Sequence, residues 1–162
     1  MTLYGLLWIP TVLLSGPGGS DSERAGLDPP GVTYPDTILV ASTPLEAATM
    51  EFARGFSDPS GDRLGAILAI GGIRLHIEDT GHAGLSSRQA VAAIREFLRG
   101  YDGGGVVVLR AALVEGSPSR GFAELRWSAR MAGTSQEIRR TLFLGLYQES
   151  GDWRVDEVRL LR

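Results

Sequence analysis

The sequence predicts an α+β domain: three N-terminal helices packed on a curved, mainly antiparallel sheet, in the order helix, helix, strand, helix and then a four-strand meander. Three observations predict it. Thr43-Pro44-Leu45-Glu46 and Ser86-Ser87-Arg88-Gln89 are capping boxes, each followed by apolar residues at helical spacing. Between them, Ile73-Arg74-Leu75-His76-Ile77-Glu78 alternates with the period of a half-buried strand. After Gly105, long apolar-rich stretches alternate with clusters of turn-forming residues.

Taken in chain order, Leu3 to Leu14 is an apolar run broken by Gly5, Pro10 and Thr11 and followed by the small residues Ser15-Gly16-Pro17-Gly18-Gly19. Residues 1–15 thus resemble a secretory signal peptide, which predicts export to the periplasm, the cell envelope or the medium; a non-exported apolar N-terminus in a cytoplasmic protein is the alternative. The run is shorter than the ~20 apolar residues a stable transmembrane span needs. Residues 16–36 are dense in Gly, Pro, Ser and Asp and read as a flexible linker, leaving 37–162 as a single domain.

The first helix starts behind Thr43, with Pro44 at its first position, and carries Leu45, Ala48, Phe52 and Phe56 on one stripe through about Arg54. Asp62 is placed to cap a shorter second helix over Leu64, Ile67 and Leu68, which Gly71-Gly72 ends. In the strand that follows, Ile73, Leu75 and Ile77 face the core, and Asp79 inherits their parity. Gly81 and Gly84 mark a loop. The third helix runs to about Arg99 with Ala90, Ile94, Phe97 and Leu98 on its apolar face. Gly103-Gly104-Gly105 follows a helix and precedes a strand, the reverse of the order of a phosphate cradle, and reads as a connector. Strands near 106–115, 120–132, 136–149 and 153–161 complete the domain, long enough that they should bend or bulge.

Composition removes several classes of function. The chain has 162 residues, 43% hydrophobic and 22% charged, with net charge −3, so it offers no basic surface for nucleic acid. It contains no Cys, Lys or Asn, and all 16 basic residues are Arg. Disulfides, thiol nucleophiles, cysteine-ligated metals, Schiff-base lysines and the phosphate-loop lysine are therefore excluded. Nothing in the sequence calls for a cofactor.

Four local signatures carry a family resemblance: Gly61-Asp62 opening the second helix, the Ile77-Glu78-Asp79 strand end, Ala93-Ile94-Arg95-Glu96-Phe97 in the third helix, and the closing hairpin Gly151-Asp152-Trp153-Arg154-Val155. With the element order they make residues 43–161 similar to the nuclear-transport-factor-two-like, cystatin-like cone superfamily. In layout the chain is closest to small exported bacterial members without assigned activity, whose last strand ends as Val158-Arg159-Leu160-Leu161 does, and it is distantly similar to ketosteroid isomerase. The resemblance implies a cone with a mouth between the concave sheet face and the helices, a place for a small ligand. It also implies that Asp79 matches the isomerase's general base, a carboxylate whose environment tunes it for proton abstraction. The isomerase's enolate donors, however, correspond to positions near Phe52 and Leu144, neither of which can donate.

The residues leave alternatives open. Asp79 is either an inward base or a residue that closes its strand by bonding the Thr80-Gly81 turn. His76 and His82 share their neighbourhood with Arg74 and a Gly-rich loop, which argues against a metal site. Phe52, Ile77, Phe97 and Trp127 are the pocket candidates. Glu124, Arg126 and Arg130 share one strand face, opposite Leu125, Trp127, Ala129 and Met131; they form either a ladder of cross-strand ion pairs with Glu137 or Arg139, or an anion site with Arg139 or Arg140. Leu142-Phe143-Leu144-Gly145-Leu146-Tyr147 is apolar on both parities, so Phe143, Tyr147, Arg126 and Arg130 mark a face that a second copy could cover. Three functions follow: a non-catalytic exported module that holds a small apolar ligand or docks a partner, an enzyme using Asp79 on a small carbonyl compound, and a structural dimerisation domain with a filled cone.

Overall fold

The structure is a computed structural model that describes residues 43–161 except 59, 61 and 62. The leader, the linker, the start of the 37–162 domain and the Gly61-Asp62 signature lie outside the described residues.

Helix α1 spans Pro44–Ser57 and opens with the expected capping box: Glu46 N–H donates to Thr43 Oγ1 at 3.2 Å, and Thr43 N–H donates to the Glu46 carboxylate at 3.0 Å. It buries Leu45, Ala48, Phe52 and Phe56, and it runs three residues past Arg54. Gly55 permits that last turn to press on the next helix, since a Cβ there would lie 3.1 Å from the Leu64 backbone nitrogen. Helix α2 is short, Leu64–Ile67. Strand β1, Ile73–Ile77, alternates as the sequence predicts, burying Ile73 and Leu75. Helix α3, Ser87–Leu98, starts on the Ser86/Gln89 capping box.

Two expectations are corrected. The glycine-marked loop after β1 is a strand, β2 (Thr80–Leu85), joined to β1 by the two-residue turn Glu78-Asp79 with Glu78 at φ +54°. It was illegible because an edge strand exposed along most of its length needs no apolar alternation, and because Gly81 serves a close approach: a Cβ there would lie 2.6 Å from the His76 ring. The glycine connector is also part of a strand, β3, which runs Tyr101–Val114. Its pairing skips between Asp102 and Gly105, and Gly103 sits at φ +60°, so Gly103-Gly104 is a bulge rather than a linker.

Strands β4 (Ser117–Met131), β5 (Glu137–Glu149) and β6 (Asp152–Leu161) complete one six-stranded sheet of order β2-β1-β6-β5-β4-β3, antiparallel except for β1 beside β6. The expected bulges fall in β3 and β6, the latter where Asp156 is inserted opposite Gly145/Leu146. The parity of β4 is as expected: Ala123, Leu125, Trp127 and Ala129 are buried under the helices while Arg126 and Arg130 are exposed. Met131, at the strand end, departs from it and is 41% exposed.

Candidate functional site

The interior is occupied mainly by its own side chains. Phe52 stacks on Phe56 with ring centroids 5.8 Å apart, and Phe56 meets the edge of Trp127 at 6.0 Å. Phe97 and Tyr101 approach Trp127 at 5.3 and 4.9 Å and each other at 5.0 Å. Trp127 is the centre of this aromatic group because its inward parity on β4 aims a large ring at Phe56 of α1 and Phe97 of α3.

At one end the group opens into a recess of about 180 Å³ lined by Phe56, Ser57, Leu98, Tyr101, Gly103, Gly104 and Trp127. The C-terminal ends of α1 and α3 form one wall and the β3 bulge the other. The Trp127 indole nitrogen has no hydrogen-bond partner, although the side chain is wholly buried. A Cβ on Gly104 would stand 2.8 Å from that nitrogen, so only glycine leaves the space beside it. Ser57 Oγ donates to the Ala53 carbonyl at 3.0 Å, so among the described residues of the lining the Tyr101 hydroxyl and the Trp127 N–H are the polar side-chain groups with no described hydrogen bond.

Of the predicted pocket residues, Trp127 lines the recess and Phe97 supports it from behind. Phe52 is core, and Ile77 packs against the core at the far end of β1. Asp79 does not carry the inward parity: Glu78 at positive φ turns the chain, and Asp79 lies exposed in the β1–β2 hairpin. His76 stands opposite Gly81 and His82 opposite Leu75, adjacent positions whose side chains leave opposite faces; among the described residues no group of three or more potential metal ligands occurs. Sequence reading took Phe56 and Leu98 as core and Gly103-Gly104 as a connector, and it did not single out Ser57 or Tyr101.

The outer sheet face is different in character. Inserting Asp156 puts it and Glu157 on the same side, where Asp156 accepts from Arg120 at 2.9 Å and Glu157 pairs with Arg74 at 2.9 Å and with Arg159. Gly145 makes room for both carboxylates. Ion pairing thus runs through these residues, and Arg130 and Glu137 are register partners without being one of the described pairs. Arg140, partner of Trp127, faces the side opposite Arg126, Arg130 and Arg139, so these four arginines do not converge on one anion site. Phe122, Phe143, Gly145, Glu157, Arg159 and Leu161 border a shallow cleft of about 370 Å³. Tyr147 lies under Arg120, 5.5 Å from its ring, and donates to Glu149 at 2.7 Å, a bond that holds its phenol above the ordinary value of 10.0. A larger open cleft, about 420 Å³, lies at the other end of α1 beside the β5–β6 turn, and no helix among the described residues is long and apolar enough to cross a membrane.

No protein-family model matches the chain, and no curated protein matches it in sequence. Solved structures do match in shape. A DUF4783 family protein from Bacteroides uniformis superposes with TM-score 0.56 at 12% identity over 70% of this chain and 94% of its own. A protein with a ketosteroid isomerase-like fold from Catenulispora acidiphila, solved in complex with trimethylamine, gives 0.55 at 11% over 71% and 84%. The design Rd1NTF2_04 with long sheet gives 0.57 at 14% over 72% and 98%. The chain has the nuclear-transport-factor-two-like cone fold, with the curved sheet and N-terminal helices the sequence predicted.

Proposed function

We propose that this domain is a non-catalytic small-molecule-binding module whose site is the aromatic recess at the cone mouth. The observation that carries the reading is the wholly buried Trp127, whose N–H is unpartnered beside a glycine bulge, in a recess walled by Phe56, Leu98 and Tyr101. Burying an unmatched donor costs about 1–3 kcal/mol, a cost a bound acceptor would recover. The non-catalytic reading is supported by the described residues of the lining, none of which is a carboxylate or imidazole to serve as a base, and by Asp79 lying in an exposed hairpin. The trimethylamine held by the Catenulispora protein supports a guest of only a few atoms for this fold. The apolar run Leu3–Leu14 supports an exported location, which fractionation of the producing cell tests.

Amide and methyl shift mapping of the chain against small ring compounds tests the site. Perturbations are expected at Phe56, Leu98, Tyr101 and Gly104. Perturbations gathered instead at Phe122 and Phe143 would move the site to the outer sheet face.

A second reading, self-association through that face, is favoured by one feature: half-buried Phe122 and Phe143 and exposed Val107 and Leu161 lie on the sheet side that the helices leave uncovered.

A further inference from the structure

We infer that the recess takes a neutral, single-ring molecule bearing one hydrogen-bond acceptor, a carbonyl in the simplest case, whose oxygen is received by Trp127 Nε1. The inference deepens the proposed function and rests on the recess being a binding site.

Size comes first. The space is about 180 Å³. An apolar cavity of roughly 150 Å³ holds benzene, so one ring with a short substituent fits. Shape agrees with this, because Phe56, Tyr101 and Trp127 offer ring faces and edges and Leu98 an aliphatic wall, surfaces on which a flat apolar guest packs. Charge follows from the described residues of the lining, which carry neither an acidic nor a basic side chain; among them an ion would be desolvated without a partner. A cation would in addition meet the positive end of the indole N–H. Arg140, beside Trp127 in the sheet, is not part of the lining.

The acceptor follows from Trp127. Its N–H is unpartnered and its side chain 0% exposed, whereas buried indoles ordinarily find an acceptor. Gly103 and Gly104, which the β3–β4 register skips, stand beside the nitrogen and cover it with backbone alone, so a guest reaches it by displacing that bulge. A methyl group on Gly104 would stand 2.8 Å from Nε1.

Benzaldehyde and toluene, matched in shape and different in the acceptor, test this in the full chain by titration monitored on the indole ¹H–¹⁵N resonance of Trp127, assigned by its loss in Trp127→Phe. Benzaldehyde is expected to bind about threefold to tenfold more tightly than toluene, the range of one net hydrogen bond, and to move the indole proton downfield. In Gly104→Ala, whose methyl would stand 2.8 Å from Nε1, that preference should fall to within about twofold. Equal binding of the two compounds with an unmoved indole resonance would overturn the acceptor and leave the recess standing as a site. Binding of neither would overturn the recess itself. Tighter binding of benzoate or trimethylammonium than of benzaldehyde would overturn neutrality.

Discussion

Trp127 joins packing to the proposed function: its parity makes it core, three aromatic neighbours surround it, and its buried nitrogen has no hydrogen-bond partner. Phe52 has no such second role. Truncating it to Ala should lower stability by roughly 3–5 kcal/mol, the range for a fully buried aromatic, read from denaturant unfolding. Asp79 lies in the exposed hairpin, and Asp79→Asn should leave ring-compound affinity unchanged; a tenfold loss of affinity would return it to the site. Tyr147 predicts a pH effect. Its bond to Glu149 raises the folded pKa above 10.0, so the stabilisation is full below the unfolded value and fades as pH rises through the folded one. The wild-type midpoint should therefore fall more steeply above pH 10 than that of Tyr147→Phe, and Glu149→Gln should lower the phenol's titration midpoint.

At the scale of elements, the starts of α1 and α3 are set locally and were legible, Thr43 and Ser86 each capping as their sequences predict, whereas α2 starts behind Arg63 with no side-chain cap. Thr43→Ala should cost about 1 kcal/mol in thermal or chemical unfolding through loss of the capping box. Strand β1 and the two faces of β4 were legible for a related reason, since burial against helices forces alternation. The misses share a cause of another kind. Gly81 and Gly103-Gly104 look like breaks in the sequence, yet each is a place where the backbone yields to a neighbouring ring, His76 in one case and Trp127 in the other. Those rings are contributed by other strands, so the meaning of the glycines exists only once the register is known. The same applies to Asp79, whose parity was cancelled by the single positive φ at Glu78. Of the site, the sequence named Trp127 and its support Phe97, while the bulge that completes it became visible only in the sheet.

For the whole molecule, the cone fold allows two working surfaces, the mouth and the outer sheet face, and the interior itself is largely filled. The outer face makes its own prediction. If the chain self-associates there, sedimentation should give twice the monomer mass, and Phe143→Asp should return it to one; a monomeric wild type would set that reading aside without touching the recess. The mouth carries the central claim, and a crystal structure of the chain soaked with benzaldehyde tests it most directly. Density for a ring between Phe56, Leu98 and Tyr101, with its oxygen within about 3 Å of Trp127 Nε1, is the predicted result. A recess closed by the β3 bulge, with density only in the Phe122–Phe143 cleft, would contradict it.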